Sequence, residues 1–292
     1  MTARVTNLPG VLGAEVDGVD LTAELSADDV RILREAFDAR GVLILRGAEI
    51  DVDSHRYLAG LLSPNEAPAD RDAAIADTRL YPMPVSNEPG GNAPYGRLLF
   101  HSDAMWSPTP MKVLSLYGTR VDQPAVPTIF ASTTHAWESL PADLKARVEG
   151  LEVVHVTGQQ PRGGNVEELL EATRAESSET VTPLAMVHPR SGRTMLYASQ
   201  QMTREVVGMP HDESEALLEE LFAHLYADDA LYEHPWETND LVLWDNLAIQ
   251  HSRPNVVLEG PKRTLRKVIS PASLSGTKNV PTFAGASATD PS

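Results

Sequence analysis

Cysteine is absent from this chain of 292 residues, which removes disulfides, thiolate zinc sites, iron–sulfur clusters and cysteine nucleophiles together. Any metal must be held by His, Asp or Glu. Basic residues are scarce, with 24 Lys and Arg against 41 Asp and Glu and a net charge of −17. A nucleic-acid partner needs a basic face and is not expected. A small anion, which meets only local charges, remains open. No apolar run approaches the ~20 residues that span a bilayer, and the first ten residues lack the apolar core of a secretory signal. No membrane partner and a cytoplasmic location are expected. What is present, 42% hydrophobic and 22% charged, is the mixture of a globular protein, and one domain is expected over residues 1–270.

Local patterns place the elements. GAEVDGVDLT, with its Gly and Asp punctuation, suggests a hairpin or tight turn. Ser26 with Asp29 forms a capping box, Val30, Leu33 and Phe37 share a helical face, and Gly41 closes that helix. VLILR at 42–46 is a buried strand, and 53–62 a second short helix. Residues 63–97, rich in Pro, Asn, Asp and Gly, form a long irregular stretch with one short strand near Pro84. Such a stretch beside candidate ligands is expected to be a substrate lid.

Strand patterns then recur through LLFHSDAMW, KVLSLYGTRV, TIFAS and LEVVHV, with a helix in SLPADLKARVEG. Polar residues 159–180 form an expected insertion. PLAMVHP and TMLYAS pair across the turn RSGR, a helix runs from His211 to Leu225, and LVLWDN and RTLRKVIS end the fold. The tail, 271–292, has nothing to pack and is expected to be flexible. Many short strands with few helices between them point to a mainly β fold with helical additions, a sandwich or barrel and not a wound βαβ sheet.

The stretch 241–254, LVLWDNLAIQHSRP, opens as a strand, breaks at Asp245–Asn246 and presents His251 just before an Arg–Pro stop. HSD at 101–103 puts His101 and Asp103 two apart, on one face if the strand stays extended. Two imidazoles and one carboxylate suit a redox-active divalent metal with open positions. The doublet is not specific alone, because His211 and Glu213 repeat its spacing. Those two open a helix, where acidic residues favour the N-terminus and the pair diverges. In RTLRK, Arg263, Leu265 and Lys267 share one face, with Arg266 opposite on a solvated edge.

In LGAEVDGVDL, GVLILRG, FHSDAMW, VHPRSGRTMLY, VVGMPHDESEALLEELFAHL and VLWDNLAIQHSRP, the chain resembles the taurine dioxygenase family, which includes the aryloxyalkanoate dioxygenases. The resemblance implies a double-stranded β-helix, a jelly-roll barrel of the cupin type. It implies Fe(II) held by His101, Asp103 and His251 as catalytic metal ligands, with 2-oxoglutarate and O2 as cosubstrates and succinate and CO2 as products. By the same resemblance Thr128 and Arg263 hold the distal carboxylate of 2-oxoglutarate. Lys267 falls where relatives carry a second arginine and would contact an anionic small-molecule substrate, with Arg97 a second candidate. Asp103 stands where related halogenases carry a small residue, so hydroxylation or another oxidation is implied. A homo-oligomer is also expected. Two departures stand out: Ala125-Val126-Pro127 replaces the usual Gly-Gly-Asp before the threonine, and Lys replaces Arg at 267. Two other readings remain. A cupin-like metalloenzyme of non-oxygenase chemistry would not require Arg263, and a catalytically silent binding module would not require the triad.

Overall fold

The computed structural model describes residues 2–63, 65–157 and 178–271. The tail from 272 and most of the expected insertion lie outside the described residues. Two antiparallel-rich sheets face each other. The larger runs in the order Arg4–Asn7, Ala14–Asp17, Val42–Leu45, Leu241–Asp245, Val113–Val121, Arg263–Ser270 and Arg79–Leu80, with Val85–Ser86 also paired to Arg263–Ser270. The smaller runs Leu231–His234, Thr128–Ser132, Ile249–Val256 and Gly96–His101. Strands distant in sequence thus become neighbours, as a jelly roll requires.

Alternation along the central strands explains how the sheets pack. In Leu241–Asp245, Leu241 and Leu243 face one core while Val242 and Trp244 face another. The first core lies against the helices Ala27–Arg40 and Val52–Leu62, through Leu33, Phe37, Leu58 and Leu61. The second is the barrel interior, where Ile44, Leu116, Leu265 and Ile269 meet Phe130 and Ile249 of the smaller sheet. Burying each such side chain is worth roughly 1.5–3 kcal/mol, so the inward phase of every strand is strongly fixed. A third cluster joins Thr133–Ser139, Ala142–Val148 and His211–Leu225 to the outer strands Glu152–Val156 and Thr203–Val206.

The first helix begins and ends where the sequence indicates. Ser26 Oγ accepts from Asp29 N at 3.1 Å, and Gly41 closes the helix at φ 71° with its N–H on Phe37 O. Three expectations need correction. The first hairpin uses an additional strand, Arg4–Asn7, paired in register with Ala14–Asp17. Arg253-Pro254 is no stop: the strand continues from Ile249 to Val256, and its register shifts around Arg253 accommodate the missing proline N–H. The described residues of the stretch 63–97 are more regular than expected, holding the helix Arg71–Ala76 and two short strands that pair with Arg263–Ser270.

Gly41 also lets the first helix meet the smaller sheet. A Cβ there would lie 2.5 Å from Ile249 Cδ1, two residues before His251, and φ 71° is strained for any residue with a side chain. Gly41→Ala is therefore expected to destabilise the protein by about 1–3 kcal/mol in urea unfolding. A loss under ~0.5 kcal/mol, the usual range of neutral surface changes, would show that this approach is not tight.

Candidate metal centre

His101 and His251 stand directly opposite each other on paired strands, with ring centroids 4.3 Å apart. Four residues of one strand, from Leu98 to His101, oppose three of the other, from His251 to Arg253. That bulge turns Leu98 and His101 into the same cavity although three positions separate them. Asp103 arrives differently from the expectation. The strand ends at His101, and Asp103 sits in a turn, so shared strand phase is not what orients it. A buried amide does so instead. Asn246 Oδ1 accepts from Asp103 N at 3.0 Å, and Asn246 Nδ2 donates to Asp103 O at 2.9 Å and Met111 O at 3.0 Å.

Three donor atoms converge. Asp103 Oδ1 lies 3.2 Å from His101 Nε2 and 3.8 Å from His251 Nε2, and the three residues form the metal-competent group found among the described residues. His101 Nδ1 lies 2.8 Å from the Leu99 carbonyl. A carbonyl can only accept, so His101 donates from Nδ1 and turns Nε2 toward the centre as the ligating nitrogen. Burial, then the neighbouring His101, hold His251 well below the usual imidazole range, so it is neutral and free to ligate. Burial would raise Asp103, but the Lys267 ammonium and the two imidazoles outweigh it and keep the carboxyl ionised. Two imidazoles and one carboxylate on one side of an open space fit a six-coordinate divalent metal with free positions.

The turn that supplies Asn246 is itself pinned. Asp245 accepts from Leu247 N at 3.0 Å and Ala248 N at 3.2 Å, and it pairs with His188 Nε2 at 3.0 Å. His188 Nδ1 accepts from the Arg190 and Ser191 amides, so His188 donates through Nε2. The sequence marks Asp245–Asn246 only as a turn. Its tethering of Asp103, 143 positions away, has no local signal.

The triad opens on a cavity of about 250 Å³. Deeper in its wall, Arg263 Nη2 donates to Thr128 Oγ1 at 2.8 Å, as does Trp236 Nε1 at 2.9 Å. Burial, and then the nearby Arg253, push Arg263 down to about 9. Arg263 and Lys267 share the inward face as expected. The bulge in this ladder lies in the partner strand, between Gly118 and Arg120, so the phase of Arg263, Leu265 and Lys267 survives. Lys267 pairs with Asp103 Oδ2 and lies 4.8 Å from the Tyr81 ring centroid. Arg266 points outward as expected but is not a solvated edge. It stacks 4.5 Å from the Tyr117 ring centroid and donates to Asp51 O at 3.0 Å. Arg97 is exposed and outside the cavity wall, because Leu98 takes the inward phase on its strand. Arg253, which sequence reading passed over, is buried in the wall. Its one sequence signal was the spacing H-x-R, two residues from His251 on a strand.

Residues 4–269 match the family described as "Taurine catabolism dioxygenase TauD, TfdA family". Among curated proteins, the chain is 27% identical over 266 residues to the alpha-ketoglutarate-dependent 2,4-dichlorophenoxyacetate dioxygenase of Cupriavidus pinatubonensis, covering 86% of this chain and 92% of that one. It is 28% identical to an alkylsulfatase of Acinetobacter baylyi, covering 86% and 80%. Among solved structures, a taurine dioxygenase from Burkholderia xenovorans superposes with a TM-score of 0.72 at 25% identity, covering 94% of this chain and 92% of that one. AAD-2 in complex with Mn(II) and N-oxalylglycine shares the fold, with a TM-score of 0.72 at 23% identity over 94% and 98% of the two chains.

Asn246→Ala removes three buried hydrogen bonds without touching a ligand side chain. Mn(II) affinity is expected to fall about 10- to 100-fold, read as the free-ion signal in electron paramagnetic resonance. Unchanged affinity would mean that Asp103 is oriented by something other than Asn246.

Proposed function

The chain belongs to the taurine catabolism dioxygenase TauD, TfdA family, and from that premise we propose that it oxidises a small organic anion at the expense of 2-oxoglutarate. Members of this family are oxidoreductases that use Fe(II), 2-oxoglutarate and O2 and act on small molecules. The observation that carries the reading is one cavity holding both halves of the required equipment. His101, Asp103 and His251 converge at one place in its wall, and the buried Arg263–Thr128 pair lies in the same wall.

In this reading the triad holds Fe(II), which when bound supplies the oxidising chemistry that converts 2-oxoglutarate to succinate and CO2. The protein's residues do the remaining work. His101 presents a fixed tautomer, and Asp103 offers Oδ1 while Oδ2 is held by Lys267. Arg263 supplies a planar cationic fork to a carboxylate, and Thr128 completes that subsite. Leu114, Leu116, Met111 and Trp106 give the wall an apolar stretch that limits water near the reacting atoms.

Lys267 supports an anionic substrate. Asp103 is its one anionic partner among the described residues. Once that carboxylate is shared with a divalent cation, the ammonium is left on a largely apolar wall, where an unanswered charge is costly. Carboxylate, sulfonate, sulfate or phosphate on the substrate would answer it. Residues 63–97 serve as the cover over this end in a single catalytic domain: Tyr81, Met83 and Val85 line the cavity, and exchange of substrate requires them to part from Lys267.

Incubation with Fe(II), ascorbate and carboxyl-labelled 2-oxoglutarate tests the reaction class. Slow CO2 release without substrate is expected, and His101→Ala, Asp103→Ala and His251→Ala should each abolish it; full activity in any of them would remove the triad from the mechanism. Arg263→Ala should raise the requirement for 2-oxoglutarate by the equivalent of about 2–5 kcal/mol, far more than Arg266→Ala.

Lys267 calls for a different readout. In a screen for compounds that stimulate CO2 release, responders should be anions, and Lys267→Met should need at least ~10-fold more of each, with recovery in Lys267→Arg. A neutral or cationic responder, or a variant that responds like wild type, would reject the anion assignment.

A further inference from the structure

Arg253 is a buried cation that no carboxylate answers among the described residues. Its Nη1 donates to Ala93 O at 2.8 Å, and its Nη2 to Tyr95 O at 3.2 Å and Gly96 O at 3.0 Å. Its Nε has no acceptor among the described residues. Carbonyl dipoles satisfy hydrogen-bond geometry but leave the net charge uncompensated, and a buried uncompensated charge is costly. Arg263 lies close enough to repel it, and Arg263 Nε is likewise without an acceptor. Two such guanidiniums in one cavity wall ask for an anion.

The strand register says where that anion lies. His251 pairs with Phe130 and Ser252 with Ile129; Arg253 and Thr128 are the next residues of those two strands beyond the last pair, and both line the cavity. Thr128 is the residue whose hydroxyl already receives Arg263. Arg253 therefore approaches the neighbourhood of Thr128 from within the smaller sheet, while Arg263 approaches it from the larger one. The same register gives the distance to the metal triad. Two residues of strand separate Arg253 from His251, roughly 7 Å, which is comparable with the span of a five-carbon diacid.

We infer that Arg253 is a second guanidinium for the distal carboxylate of 2-oxoglutarate, clasping with Arg263 and Thr128 the end remote from the metal. The assignment rests on the 2-oxoglutarate reading proposed above. It makes Arg253 a determinant of cosubstrate specificity, because an oxo acid without the second carboxylate leaves both cations unanswered. It also ties the backbone of Ala93, Tyr95 and Gly96 to cosubstrate occupancy, since one guanidinium holds both.

Calorimetric titration of Mn(II)-loaded protein, which reads binding without turnover, tests this with two ligands: 2-oxoglutarate and 2-oxopentanoate, a monoacid of equal chain length. Arg253→Met is expected to lose about 10- to 100-fold in affinity for 2-oxoglutarate, the loss of a charge-assisted hydrogen bond, and little for 2-oxopentanoate. Arg253→Lys, which keeps the charge but not the fork, should recover part of the preference and serves if the methionine variant fails to fold. Equal weakening toward both ligands would reduce Arg253 to a clamp on residues 93–96 and overturn the assignment, as would no change toward either. Wild-type protein that bound neither oxo acid would instead overturn the proposed function, and this assignment with it.

Discussion

Everything at the open end of this barrel depends on how one carboxylate is held. Asp103 is the single acidic side chain among the described residues that line the cavity, against Arg79, Arg253, Arg263 and Lys267. A protein with a net charge of −17 thus carries an interior pocket of the opposite sign. Overall charge is a statement about solubility and non-specific partners, whereas recognition in an enclosed site follows its local charges. Asp103 balances part of that positive field, and it can do so only because Asn246 fixes its backbone and Lys267 takes one of its oxygens. The remaining oxygen faces the imidazoles.

The two sheets divide the site between them. The smaller contributes both histidines, Thr128 and Arg253, on three adjacent strands. The larger contributes Arg263 and Lys267 from one face of a strand held in place by apolar neighbours at Leu265 and Ile269. The hydrophobic phase that stabilises the barrel is therefore the same phase that aims the cations inward. A one-residue slip of the Arg263 strand would expose its apolar residues and carry both cations out of the cavity.

Periodicity made much of this legible from the sequence. The capped helix from Ser26 to Gly41, the strand face shared by Arg263 and Lys267, and the late histidine all follow from local pattern and survive in the structure. The features that escaped depend on residues far away. Asp103 leaves the strand for a turn because a buried amide 143 positions away accepts its N–H. The inward turn of His101 after Leu98 depends on a bulge set by the partner strand. Arg97 loses its place in the cavity to that same geometry. Arg266 finds Tyr117 and the Asp51 carbonyl where an isolated strand would show it only solvent.

The short strands Arg79–Leu80 and Val85–Ser86 join the larger sheet at the free side of Arg263–Ser270, and the segment around them supplies the cavity wall through Tyr81, Pro82 and Met83. The metal-binding side chains come instead from two paired strands of the smaller sheet and a pinned turn. Evolution can therefore lengthen, shorten or rewrite the border segment while the reactive centre stays as it is. A scaffold divided this way can diversify its substrates by editing one margin, with the chemistry inherited unchanged.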